Sequence, residues 1–432
     1  MASARPVRPG FFPLDDELAL LPGRLTPRLL EELVHLAIWM PFARAAQQLK
    51  RSTRVELSEP TVRRQTQAAG AAYVALQTAQ AEHILRHGPP EPCAPERLVL
   101  SADGAMVPLR RGEWSEVKTL VIGESGAAGE VEHLSYFSRL TDAATFGEAA
   151  VVETHSRGVA VAKEVAAVVD GAEWLQGFLD LHCPSAVRIL DFPHALEHLN
   201  KVGQAVFGAG TAEASTWLAA QRHALRHEGP DEVMRTLTSL LLTAGEAVAG
   251  QETSEAAPDP EQKERAPGQE DVEYLSKRVG QMQYPAYEAA GWPLGSGVVE
   301  SANKVVVEAR LKGAGMRWER SNVNPMLALR NIVYSDRWDE AWAQIGSELR
   351  EQERKRRRER REARRSAAQV PAAACGDRLP TPREAEMLAA PAAPAAHAPF
   401  PAIRQEKGRP AADHPWRRPW SKRQQAHQVP AA

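Results

Sequence analysis

The chain has 432 residues, 43% of them hydrophobic and 25% charged, with a formal net charge of −2. That length exceeds one small domain, and a near-zero net charge excludes a global polyelectrolyte signal for nucleic acid. Three scattered cysteines (Cys93, Cys183, Cys375) exclude a disulfide framework and a cysteine-rich zinc site, and no apolar run is long enough to span a membrane.

Residues 1–22 read as a loose, Pro-containing arm whose first ten residues carry no signal-peptide apolar region, so the expected compartment is the cytoplasm. A helical unit is expected over 23–92. Thr26-Pro27 is a capped start, with Leu29, Leu30, Leu33, Leu36 and Ala37 recurring at helical spacing. Pro41 opens a second helix, and Ser58-Glu59-Pro60-Thr61 a third, rich in Arg and Gln. The order resembles a helix-turn-helix unit, in which Thr61, Arg63, Arg64, Gln65 and Gln67 would face DNA. A plain helical bundle with a solvated face is the alternative.

From residue 96 the pattern changes to strands. R-L-V-L-S-A-D-G, W-S-E-V-K-T-L-V-I-G-E and H-L-S-Y-F-S-R-L are separated first by a turn at Arg110-Arg111-Gly112. A helix near Thr145–Ser156 follows, then an apolar strand ending at Asp170, a helix from Glu173, the strand A-V-R-I-L and a helix from His194. The order β-β-β-α-β-α-β-α is that of an RNase H-like core, of which 96–200 would be the first part. Residues 201–292 read as an all-α insertion with a flexible polar loop over 250–269. The last part of the core, 293–345, carries a helix from Ser296 to about Leu311. A basic helix is expected over 346–366, where Arg350–Arg365 holds ten Lys/Arg against four Glu, and a disordered Ala/Pro-rich tail over 367–432. The basic helix would bind DNA through phosphates; the alternative is a solvated, salt-bridged helix.

Three acidic residues stand at the ends of these elements: Asp103, Asp170 and Glu300. Asp103 and Asp170 are each followed by Gly-Ala, which would let the backbone turn directly after the carboxylate, and Ser296 would cap the helix of Glu300. Each Asp-Gly alone is equally a plain turn. Gathered together, the three carboxylates would hold Mg²⁺ or Mn²⁺, two ions in the usual arrangement for phosphodiester chemistry.

The motifs S-A-D-G-A-M-V-P-L, V-V-D-G-A-E-W-L, R-I-L-D-F-P-H-A-L-E-H-L, G-W-P-L-G-S-G-V-V-E-S and R-L-K-G-A-G-M-R-W resemble those of ISKra-type insertion-sequence transposases, within the Mutator-like DDE group. The likeness covers roughly residues 25–345. It implies an RNase H-like core with a helical insertion, a DDE triad on Asp103, Asp170 and Glu300, and binding to terminal inverted repeats of double-stranded DNA. It also implies cleavage and strand transfer into target DNA, a homodimer or larger assembly, and a nucleoid-associated location in the cytoplasm. Asp191 and His194 match the D-x-x-H element of that group and would be supporting residues or DNA contacts, although Asp191 competes with Asp170 as second ligand. Lys304, one turn after Glu300, is a phosphate candidate or a solvated lysine. Arg310, Lys312, Arg317 and Trp318 form a basic patch with an aromatic suited to DNA, unless Trp318 packs in the core. His194-x-x-Glu197-His198 also spells an inverted zinc-peptidase string. Other readings are a non-catalytic transposase-derived DNA-binding protein and a resolvase-like nuclease.

Overall fold

The structure, a computed structural model, describes residues 25–126, 130–249 and 268–369. The expected arm, most of the polar 250–269 loop and all but the start of the Ala/Pro-rich tail lie outside the described residues. The chain divides into two units at Ala363/Arg364, and the sheet with the helices packed on it belongs to the first.

Three helices come first: α1 (Pro27–Trp39), α2 (Phe42–Thr53) and α3 (Glu59–His87). Thr26 caps α1 as expected, its hydroxyl accepting from Leu29 N at 3.3 Å. Leu30, Leu33, Ile38, Leu49 and Val62 bury against Leu329 and Ile332 of α12 (Arg320–Tyr334) and Ile345 of α13 (Trp338–Gln369). At Gly70 the two long helices approach so closely that a Cβ would overlap the backbone of Pro325. In the first turns of α3 Val62 faces this core, while Arg63 and Arg64 are exposed and Gln65 and Gln67 half-buried.

The sheet has five strands in the order β3-β2-β1-β4-β5. They are β1 (Arg97–Pro108), β2 (Trp114–Ser125), β3 (Val131–Arg139), β4 (Glu164–Val169) and β5 (Val187–Leu190). The first three form an antiparallel meander; β4 runs parallel to β1, and β5 parallel to β4. Strand alternation sends Leu98, Leu100 and Ala102 to one face, against α4 (Ala143–Ser156) and α5 (Glu173–His182). Val99, Ala166, Val168 and Ile189 go to the other, under α6 (Phe192–Phe207), α9 (Gln269–Ser276) and α10 (Tyr284–Ala289). Between these lie α7 (Ala212–His227) and α8 (Pro230–Ala249), so residues 201–292 are helical apart from the undescribed loop.

The helix of Glu300, α11 (Gly297–Ala302), continues through a π-helical segment, Asn303–Glu308, to Leu311. It lies on that second face, Val299 and Ala302 against Val121, and Val306, Val307 and Leu311 against Val107 and Val117. A π segment widens the helix and loosens its carbonyls. The carbonyls of Val305 and Val306 are taken by the guanidinium of Arg330, 1% exposed, which also reaches Ile38 O at the end of α1, at 2.7 Å.

Two local expectations are corrected. The backbone does not turn after Asp103: β1 continues to Pro108, and Gly104 pairs with Lys118. A continuous partner strand outweighs the Asp-Gly turn preference. Ser296 stands at the capping position just before α11 but makes no side-chain cap; its backbone N–H instead donates to Asp191 Oδ1 at 2.6 Å.

Candidate functional site

The site follows from the parallel register. Leu100 pairs with Ala167, and Val169 with Leu190. Stepping along both pairs brings Asp103, Asp170 and Asp191 into one row at the carboxyl ends of β4 and β5 and beside mid-β1. Asp103 and Asp170 share the alternation of Val99 and Val168, so both project to the face that carries α6, α9 and α11. Ligand sites of open α/β sheets recur at such strand ends.

Burial chiefly holds the Asp103 carboxyl above the usual carboxylate range, and the charges of Asp170 and Glu116 push it the same way. The Gly104 N–H (2.6 Å) and Asn303 Nδ2 (2.9 Å), both donating to Asp103, oppose that shift. Asn303 begins the π segment, is buried, and its Oδ1 has no hydrogen-bond partner. An orphaned carbonyl oxygen on the side chain bonded to the Asp103 carboxylate is a hard oxygen donor of the kind that suits Mg²⁺ or Mn²⁺.

Asp170 sits on a true turn. Its Oδ1 accepts from Ala172 N at 2.9 Å, and Gly171 takes φ +80°. Two side chains from α9 and the turn after it clamp this turn. The Tyr274 hydroxyl donates to Asp170 O, and Arg278 donates to Gly171 O through Nε (2.9 Å) and Nη2 (2.6 Å). Arg278 also stacks 3.7 Å over the Tyr274 ring. Burial, foremost, pushes the Tyr274 phenol up to about 12.

Asp191 is 5% exposed and caps α6, Oδ2 accepting from His194 N at 3.0 Å, while Oδ1 holds Ser296 N. Both oxygens thus serve backbone donors, and the second bond fixes where α11 begins. His194 and His198 lie on one face of α6 with their Nε2 atoms 3.3 Å apart. His198 Nδ1 meets Asp271 Oδ1 at 2.7 Å, Lys201 Nζ stands 3.9 Å from the same oxygen, and the His198 ring stacks on Tyr274 at 3.9 Å. Glu197 Oε2 is 3.6 Å from His194 Nδ1.

Glu300 stands one helical turn before Asn303, hence on the same side of the helix. Its side chain is exposed, with Lys304 Nζ 3.9 Å from Oε2. Among the described residues no three His, Cys, Asp or Glu side chains converge closely enough to hold a metal ion.

The expected basic patch is corrected in part. Arg310 (2% exposed) and Trp318 (7%) are interior. Arg310 donates to Ala37 O at 3.1 Å between the rings of Phe42 and Trp318, and Trp318 Nε1 donates to Leu311 O at 3.2 Å. Burial lowers the Arg310 pKa only to about 10, so it stays charged and needs those partners. Lys312 pairs with Glu308 at 2.5 Å, and Arg317 is exposed.

Asn303, Tyr274, Arg278 and Arg330 were not among the residues singled out from sequence. Asn303 had a usable signal, three residues after Glu300 on its face. The other three act on backbone carbonyls distant in the chain, which leaves no local pattern. Among the described residues no helix is long and apolar enough to cross a membrane. No protein-family model matches the chain, and no curated protein matches it.

Proposed function

We propose that this chain is a DDE transposase that binds the terminal inverted repeats of an insertion sequence and cuts and joins DNA. The observation that carries the reading is the Asn303–Asp103 hydrogen bond of 2.9 Å, because it ties the helix of Glu300 to the carboxylate of β1 across 200 residues of chain. It leaves Glu300 one turn from the residue bonded to Asp103, with Asp170 at the end of the neighbouring strand. The sheet order, with a three-strand meander followed by two parallel strands, agrees with an RNase H-like core. The helical stretch ahead of α11 agrees with an insertion.

In this reading Asp103, Asp170 and Glu300 hold divalent cations, and Asn303 orients Asp103. Bound Mg²⁺ or Mn²⁺ would supply charge neutralisation at the phosphodiester and activate the attacking oxygen. Asp170 is preferred to Asp191 as ligand, because both oxygens of Asp191 are engaged by backbone N–H groups. Arg63, Arg64 and Gln65 at the start of α3, Lys304, Arg317 and the exposed Arg residues of α13 would contact phosphates. Two element ends must meet, so a dimer or larger assembly is expected.

The test is Mg²⁺-dependent nicking of DNA carrying the inverted repeats. The parent should nick, and Asp103→Asn, Asp170→Asn and Glu300→Gln should each abolish nicking while end binding survives. Undiminished nicking by any of these variants removes that residue from the triad. A second reading, a non-catalytic DNA-binding protein, is favoured by the solvent-facing Glu300 paired to Lys304. A parent that binds the repeats and never nicks them would establish it.

A further inference from the structure

Three pairs of histidines lie four residues apart on helices with rings in contact: His83–His87, His194–His198 and His223–His227. Among the described residues only the middle pair brings two ring nitrogens into bonding distance and has a carboxylate hydrogen-bonded behind it. We infer that His194 Nε2 and His198 Nε2 bind one borderline transition-metal ion, of the Zn²⁺ class, at the edge of the insertion.

The chemistry rests on where the protons sit. The Asp271 carboxylate can only accept, so the 2.7 Å contact puts the proton of neutral His198 on Nδ1 and a lone pair on Nε2. Glu197 stands on the Nδ1 side of His194 and favours the same tautomer there. With both protons on Nδ1 the two Nε2 lone pairs, 3.3 Å apart, repel unless a cation lies between them; with the His194 proton on Nε2 the rings share a hydrogen bond instead. Two nitrogens each about 2.05 Å from one tetrahedral ion stand about 3.3 Å apart. Asp271 behind His198 is the outer carboxylate that metal-bound histidines characteristically have. Imidazole donors favour Zn²⁺, Cu²⁺ or Ni²⁺ over Mg²⁺, which separates this site from the oxygen-lined pocket at Asp103 and Asp170. With two protein ligands, the remaining positions fall to water or to a group brought by a bound molecule. The ring of Tyr274 stacks on His198 while its hydroxyl holds Asp170 O, so occupancy would stiffen the Asp170 turn.

The full-length protein, stripped with chelator, would be titrated with Zn²⁺ against a chromophoric chelator in excess Mg²⁺. One Zn²⁺ per chain is expected. Affinity should fall at least about tenfold in His194→Ala and in His198→Ala, and about tenfold in Asp271→Asn. It should be unchanged in the His83→Ala and His223→Ala variants and in Asp170→Asn. Cu²⁺ spectra should show two coordinating nitrogens in the parent and one in either single variant, and circular dichroism establishes that each variant is folded. Absence of Zn²⁺ binding means that a shared proton bridges the rings, and affinity undiminished from the parent in either single variant means that the ion sits elsewhere; either overturns the assignment. Zn²⁺ binding is read without DNA or nicking, so this site and the proposed function fail separately.

Discussion

Asp103 and Asp170 are neighbours across a parallel strand pair, yet the chain holds them by different means. Asp103 lies inside a strand whose neighbours are paired on both sides of it, from Leu98 with Glu124 to Pro108 with Trp114. Its position is a property of the sheet. Asp170 lies just past the end of β4, on a turn that Tyr274 and Arg278 clamp from α9 and its following turn, about 105 residues later. Its position is a property of side chains from α9 and the turn after it. Two carboxylates of one pocket therefore have separate mechanical supports, and damage to one need not reach the other.

The largest expected break in that contrast is Gly171→Val. A side chain there must adopt φ +80°, and its Cβ would lie 2.6 Å from Arg278 Nε and Tyr274 Oη. Positive φ and overpacking together predict a loss of about 4 kcal/mol in denaturant unfolding; a loss under about 1 kcal/mol would show that the clamp yields freely.

The opposite face of the sheet supplies a pH-dependent comparison. His182 is 9% exposed, its Nε2 facing Gly147 O at 2.9 Å and its Nδ1 facing Thr154 Oγ1 at 3.1 Å. Burial lowers its pKa from 6.5 to about 4. The unfolded chain therefore binds the extra proton first as pH falls. The contribution is whole above about pH 6.5, shrinks through the window from 6.5 to 4, and amounts to about 3 kcal/mol at most. Unfolding curves of the parent and His182→Gln should converge in this window, and parallel curves would refute the assignment.

Arg278→Met comes next. It removes the donors to Gly171 O and Tyr274 O and should cost about 2 kcal/mol. In the proposed function it should impair nicking more than end binding, because only Asp170 loses its support. The smallest effect is expected at Gly104→Ala. The atoms nearest its Cβ would be those of the Glu116 side chain, which is exposed and can shift while staying in reach of Lys118. A change of about 1 kcal/mol or less in unfolding is expected; a loss matching that at Gly171 would erase the distinction between the two supports.

Much of this architecture was legible in the residues. Thr26-Pro27 announced α1, the apolar runs announced all five strands in order, and the Ala/Leu-rich stretch from about residue 200 announced the helices that follow α6. These are local signals, carried by caps, periodicity and turn residues. The errors have one origin. Asp103-Gly104 reads locally as a turn, and R-L-K-G-A-G-M-R-W reads locally as a basic surface. Whether a strand continues past Gly104, or a guanidinium is turned inward at Arg310, depends on partners distant in sequence: β2 for the first, Ala37 and Phe42 for the second.

By itself the sequence determined the alternation of helix and strand and the positions of the acidic residues along the chain, because hydrophobic period and turn chemistry act over a few residues. Only the tertiary structure decided that Asp103 and Asp170 stand abreast, that Asn303 joins them, and that Asp191 spends both oxygens on backbone donors. It alone placed Arg278 and Arg330 on loosened carbonyls. Those outcomes depend on strand register and on buried polar groups finding partners, and both are settled between segments distant in the chain.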